Sequence, residues 1–221
     1  MRSRGFTLIE LLVIMTTLAV LVALDFPAIS KGTEYAHKTR CLSNMRQIGI
    51  GIHLFAQDND NQIPSRGVGN DSVTGQPNDK WPAAVSYYLK DARVFMDPDD
   101  PESVASTSAE LISNNGNRTA FLMNGFNDLG AYDNPNFTLS MSRLKNPAGT
   151  ILLGKKKAMS RQYYMDFVEG PNGNQNDVLD KIAFGSGSTY VFADGSARFL
   201  DETEYNDEMW VISAGYIIPT P

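Results

Sequence analysis

The apolar positions at the start of the chain predict its first helix. From Phe6 to Leu24 the sequence runs FTLIELLVIMTTLAVLVAL, nineteen residues with Glu10 as the one charge, and Asp25 follows. At about 1.5 Å of rise per residue, such a helix just spans a bilayer core of roughly 30 Å. Arg2 and Arg4 precede the run and Asp25 follows it, so the positive-inside rule keeps the N-terminus cytoplasmic. Pro27 comes three residues after the run ends. Its missing N–H and its clash with the preceding turn predict a kink or a melted stretch over residues 22–29, unless the membrane helix simply ends there.

Helical periodicity resumes over residues 33–58. Cys41, Met45, Ile48, Ile52 and Phe55 advance by three or four and share one face, opposite Lys38, Arg40, Arg46 and Gln47. The apolar face most simply packs on a sheet. A free coiled coil is the lesser alternative, because the pattern is short and Gly49 and Gly51 weaken it. A helix from Phe6 to Asp58 would be on the order of 80 Å long.

Beyond Asp58 the pattern turns to short elements. Residues 58–79, rich in Asn, Asp, Gly and Pro, read as a loop. Trp81-Pro82 opens a short helix over Ala83 to Leu89. Strands are expected at 118–123, 149–153 and 163–168, with Lys155-Lys156-Lys157 as a solvated edge or loop. In TYVFADGSARFL, Asp194-Gly195 suits the positive backbone angles of a tight hairpin between strands 189–193 and 196–200. Residues 208–218 are a candidate last strand. The expected fold is α+β: a long N-terminal helix packed on an antiparallel sheet.

Composition narrows the chemistry. The net charge is −6, and it becomes about −8 if Arg2 and Arg4 are removed, which argues against a nucleic-acid partner. Cys41 is the only cysteine, so no intrachain disulfide is possible, and a packed thiol is expected on the buried face. His37 and His53 are the only histidines; without an HExxH motif they read as polar residues of the helix rather than zinc ligands. No nucleophile elbow or P-loop is found, and Gly185-Ser186-Gly187-Ser188 opens no helix that would cradle a phosphate. No enzymatic activity is expected. Two acidic clusters are candidate oxygen ligands for calcium: Asp97, Asp99 and Asp100, and Asp201, Glu202 and Glu204 with Asp207 and Glu208. Neither has EF-hand spacing, and a solvated acidic surface is the competing reading. No other cofactor is indicated.

The processing signal lies ahead of the apolar run. Leu24-Asp25-Phe26-Pro27 lacks the small residues of a secretory cleavage site, whereas Gly5 sits just before Phe6. The sequence Gly5-Phe6-Thr7-Leu8-Ile9-Glu10 resembles the signal of type IV prepilins and pseudopilins. The resemblance implies cleavage by a prepilin peptidase between Gly5 and Phe6 and N-methylation of Phe6. A carboxylate in an apolar segment is costly unless paired and is functional by default. The resemblance gives Glu10 its partner, the α-amino group of a neighbouring subunit during assembly, and Pro27 falls where many pilins carry a helix-distorting proline.

The body also resembles pseudopilin-like proteins of planctomycetes and verrucomicrobia. The similar segments are Cys41 to Gly49 (CLSNMRQIG), Met123-Asn124-Gly125, Lys145-Asn146-Pro147 with Thr150 to Leu153, and Val191 to Gly195. Two positions depart from that pattern: Phe184 replaces a histidine ten residues before Asp194, and Asp97-Pro98 replaces Cys-Pro. Together these readings imply a leader at 1–5, a transmembrane and filament-core helix at 6–26, an amphipathic stem at 27–58 and a globular head at 59–221. The implied function is a structural subunit of a type IV pilus or type II secretion pseudopilus. Its partners would be other copies in a helical filament, the prepilin peptidase, an inner-membrane assembly platform and the membrane itself. The precursor would lie in the inner membrane with its head outward, and the product in a periplasmic pseudopilus or cell-surface pilus. The alternative is a minor pilin or anchored binding module that recognises a surface, a polysaccharide or a secreted substrate.

Overall fold

The computed structural model describes residues 5–65, 80–97, 100, 103, 119–131, 137–168 and 173–215, with side chains for all but 24–28 and 127. Arg2, Arg4, Pro98, Asp99, most of the expected 58–79 loop, the start of the strand expected at 118 and residues 216–218 lie outside this set. The chain divides into two compact units, one up to Arg40 and one from Cys41 onward.

Helix α1 runs over Leu8–Asp58 as one element. It stays helical across residues 22–29, so the backbone does not melt at Pro27 as the sequence had allowed. Among the described residues no helix is long and apolar enough to cross a membrane.

The second unit is built on a five-stranded sheet of order β5-β2-β4-β6-β7. Its strands are β2 (Phe121–Asn124), β4 (Ile151–Lys155), β5 (Tyr164–Met165), β6 (Gly187–Phe192) and β7 (Ala197–Asp201). Short β1 (Gln62–Ile63) and β3 (Leu139–Ser140) form a separate pair. The expected antiparallel sheet is in fact mixed, since β5 runs parallel to β2 at one edge. The expected hairpin is present: β6 and β7 pair from Gly187↔Asp201 to Val191↔Ala197, and Gly195 takes φ +81° in the turn.

Two layers cover this sheet. Cys41, Met45, Ile48 and Ile52 of α1 pack with Trp81, Phe95, Phe121, Met123, Leu153 and Val191 in one core. On the opposite face Leu122, Ile151, Tyr190 and Phe192 pack with Leu179 and Trp210. Alternation along the strands divides the two sets, as the pleat requires. A register shift between Ile151 and Leu153 breaks the alternation and turns both Leu152 and Leu153 toward the α1 core.

Gly49 and Gly51 are seating points rather than weak points. A Cβ on Gly49 would lie 3.0 Å from Val191 Cγ1, and one on Gly51 2.8 Å from Val85 Cγ1. The α1 backbone therefore lies against its neighbours with no room for a side chain, which offsets the lower helix propensity of glycine.

Other boundaries moved. The short helix, α2, is Trp81–Ser86, because Pro82 suits the first turn, where no N–H partner is needed. The segment expected as a last strand begins with a 3-10 turn, Asp207–Trp210, that buries Trp210. The largest change concerns the basic run. Lys155 ends β4 and Lys156 bridges Leu179, and both are buried rather than solvated.

Candidate assembly segment and a buried charge cluster

The chain before Leu8 meets the helix through a capping box. The Thr7 N–H and hydroxyl donate to Glu10 Oε2 at 2.9 and 2.7 Å, and the Glu10 N–H donates back to Thr7 Oγ1 at 3.3 Å. Thr-x-x-Glu before an apolar run is the sequence signature of this cap, so Thr7 could have been found beforehand. In this state Glu10 satisfies orphan donors of its own helix, and its carboxylate is held at the Phe6-Thr7 peptide. Phe6 is 77% exposed, and a side chain at Gly5 would meet nothing within 4 Å.

Past the cap, apolar side chains point outward on every side. Leu8, Ile9, Leu11, Leu12, Val13, Met15, Leu18, Val20, Leu21 and Val22 are all exposed. The two polar residues among them are internally satisfied: Thr16 Oγ1 donates to Val13 O and Thr17 Oγ1 to Ile14 O, each at 2.9 Å. A helix that is apolar all round and hides its hydroxyls is suited to an environment without water. Pro27 lies in the stretch whose side chains are not described, and His37 lies farther along the same helix.

The second unit holds a feature the sequence did not disclose. Lys155 Nζ contacts Asp97 Oδ2, with both side chains under 10% exposed. Lys156 Nζ lies 3.2 Å from Asp100 Oδ2, and these side chains are 0% and 2% exposed. The acidic partners are presented by two successive turns. The Asp100 N–H donates to Asp97 O and the Ser103 N–H to Asp100 O, and the Ser103 hydroxyl fastens the segment to Asp97. Burial pulls the Lys155 ammonium toward neutrality, but Asp97 outweighs this and holds it above its ordinary value. Phe184 places its ring 5.7 Å from the same ammonium. The two departures from the resembling proteins, Asp97 and Phe184, thus meet at one lysine. Cys41 lies nearby in a hydrogen bond of 3.1 Å with Thr189 Oγ1, and burial pushes its thiol up to about 11. It is the packed thiol that was expected.

The acidic clusters divide accordingly. Asp97 and Asp100 are engaged by lysines, and Asp99 lies outside the described residues. Asp201 accepts from the Thr203 N–H and hydroxyl, and its own N–H donates to Glu204 Oε2, each at 3.1 Å, while Glu202 is exposed. These residues form their own turn. Among the described residues no group of three His, Cys, Asp or Glu side chains is placed to hold a metal. His53 packs against the hairpin turn: a Cβ on Gly195 would lie 3.0 Å from its Nε2.

The Met123-Asn124-Gly125 segment has a structural role. Asn124 Nδ2 donates to Ile151 O and Trp210 O at 2.9 and 2.7 Å, and its Oδ1 accepts from the Phe126 N–H at 3.0 Å. One buried amide thus ties β2, β4 and the C-terminal turn together.

Comparison with known proteins bears on the whole arrangement. No family model and no solved structure matches the chain. It is similar to the ComG operon protein 3 homolog of Bacillus licheniformis, 30% identical over 66 residues, which cover 30% of this chain and 68% of that protein. It is also similar to the type II secretion system core protein G of Escherichia coli, 27% identical over 100 residues covering 45% of this chain and 67% of that protein. The core protein G of Dickeya chrysanthemi is 28% identical over 100 residues, 45% of this chain and 63% of that protein. With relatives of this kind and an apolar, glutamate-bearing N-terminal helix ahead of a sheet-built body, the chain belongs to the pilin-like, pseudopilin family, whose members are structural subunits and not enzymes.

Proposed function

We propose that this protein is a filament subunit of a type IV pilus or type II secretion pseudopilus, cut between Gly5 and Phe6, N-methylated on Phe6 and polymerised through its N-terminal helix. The reading divides the chain into a leader at 1–5, a membrane and filament-core helix at 6–26, a stem at 27–58 and a head at 59–221. The observation that carries it is the apolar side chains exposed all round the start of α1, with one carboxylate at Glu10. Exposed apolar area on this scale needs a cover, either lipid or other copies of the same helix. In sequence the run covers nineteen residues from Phe6 to Leu24, enough for a bilayer of roughly 30 Å. Membrane anchoring and filament packing would then use one segment in two environments.

The capping box supports a defined role for Glu10. While the leader is attached, Thr7 supplies the donors for its carboxylate. Cleavage after Gly5 creates an α-ammonium at Phe6, and a neighbour's ammonium becomes a stronger partner in a water-poor filament core. Such a pairing would fix the register of subunits. Pro27 is the proposed point where the helix bends during packing. The precursor sits in the inner membrane with its head outward, and the prepilin peptidase and an assembly platform act on it there. This reading needs no metal.

The test is co-expression with a prepilin peptidase, followed by intact-mass measurement and shearing of surface filaments for wild type and Glu10→Ala. The expected result is a mature chain starting at methylated Phe6 that yields filaments, lost in Glu10→Ala. An uncleaved chain, or assembly indifferent to the substitution, overturns the reading.

A further inference from the structure

We propose that Lys155 and Asp97 condense into a side-chain amide, an intramolecular cross-link that welds β4 to the turn carrying Asp97, Asp100 and Ser103. The geometry has four parts. The lysine nitrogen and the carboxylate are in direct contact, each under 10% exposed. Both backbones are fixed: Lys155 pairs with Phe121 across the sheet and its carbonyl accepts from the Asp180 N–H at 3.0 Å, while the Ser103 hydroxyl holds the Asp97 backbone. The Phe184 ring lines one side of the ammonium. Asp180, the donor of that backbone bond, follows Leu179, which bridges Lys156.

Such fixation turns a reaction between two groups into a step within one molecule, with effective molarities of about 10⁵ M or more. Burial narrows the gap between the ion pair and its neutral form, because moving one proton from ammonium to carboxylate removes both charges from a poorly solvated site. The chemistry balances without an outside reagent. The proton passes from Lys155 Nζ to Asp97, leaving an amine and a carboxylic acid. The nitrogen lone pair attacks Asp97 Cγ and forms the N–C bond of a tetrahedral intermediate. A proton shifts from that nitrogen to the hydroxyl, the C–O bond breaks, and one water leaves. The product is a planar, resonance-stabilised amide.

The neighbouring pair serves as an internal control. Asp100 Oδ1 accepts from the Met159 N–H at 3.2 Å, and Lys156 holds the other oxygen as an ion pair, so both oxygens of that carboxylate are engaged.

The experiment is intact-mass spectrometry of the full-length chain purified in detergent, followed by proteolysis and sequencing of any branched peptide. The expected wild-type mass is lower than the sequence mass, corrected for processing, by one water, with a branch joining Asp97 to Lys155. Lys155→Arg, which retains a cation, should restore the full mass while circular dichroism remains that of the folded wild type. Lys156→Arg should leave the link intact. A wild-type chain of full mass with separate peptides overturns the proposal. So does a lost water that maps elsewhere, for instance to Asp194-Gly195, or that persists in Lys155→Arg.

Discussion

Replacing the buried Lys156 by methionine should destabilise the head more than a charge-to-apolar change at an exposed position would. Its ammonium is 0% exposed and lies 3.2 Å from Asp100, itself 2% exposed. The substitution leaves a carboxylate buried without its counter-charge. Removing one member of a buried pair costs about 3–5 kcal/mol. For a domain of this size each kcal/mol moves Tm by about 2–4 °C, so the expected loss is roughly 6–20 °C. Trp81 and Trp210 are both buried, and their fluorescence in the detergent-solubilised full chain reports the melt. The double variant Lys156→Met with Asp100→Leu removes both charges and should recover most of the loss, since apolar replacement of a whole buried pair is often neutral or stabilising by about 1–4 kcal/mol. A single variant within about 1 kcal/mol of wild type, or a double variant worse than the single, would refute the reasoning.

Asn124→Ala should cost about 2–3 kcal/mol in chemical denaturation, because it strands two carbonyls and an N–H that the buried amide now satisfies. Gly195→Ala should cost about 1–2 kcal/mol from the left-handed backbone angle, with the Cβ pressed to 3.0 Å from His53; an unchanged urea midpoint would contradict the turn geometry. Alkaline pH should weaken the fold. Burial raises the folded-state values of Cys41, Tyr190 and Tyr205. The stability these groups contribute is therefore intact below the unfolded thiol value near pH 9 and falls as pH rises above it, by roughly 3 kcal/mol for Cys41 alone. Denaturation midpoints at pH 8 and pH 10.5 measure this, and Cys41 should resist thiol reagents at pH 8 until denaturant is added.

Where a pattern was local, the sequence disclosed the structure. The three-and-four spacing of Cys41 to Phe55 gave the buried face of α1, and Asp194-Gly195 gave the hairpin, because each depends on neighbours along the chain. The Thr7–Glu10 cap was equally legible, but the charge of Glu10 drew attention to an outside partner first. What stayed hidden was set by contacts distant in sequence. Three consecutive lysines look solvated until a turn nearly sixty residues earlier brings Asp97 and Asp100 beneath two of them. Gly49 and Gly51 look like defects in a helix until Val191 and Val85 are seen against them. The parallel edge at β5 rests on two residues and leaves no periodicity to read.

The seating of α1 on those glycines also has a mechanical meaning. Helix α1 is one continuous element from Leu8 to Asp58, and its last turns interlock with the sheet through Met45, Ile48 and Ile52. Tension applied along residues 41–58 of the helix would load all of these side chains together as shear, rather than peeling them off singly. The notches at Gly49 and Gly51 act as detents: a slide of one turn would carry bulkier residues against Val191 and Val85. Pulled along residues 41–58, the head would hold until its own core yields.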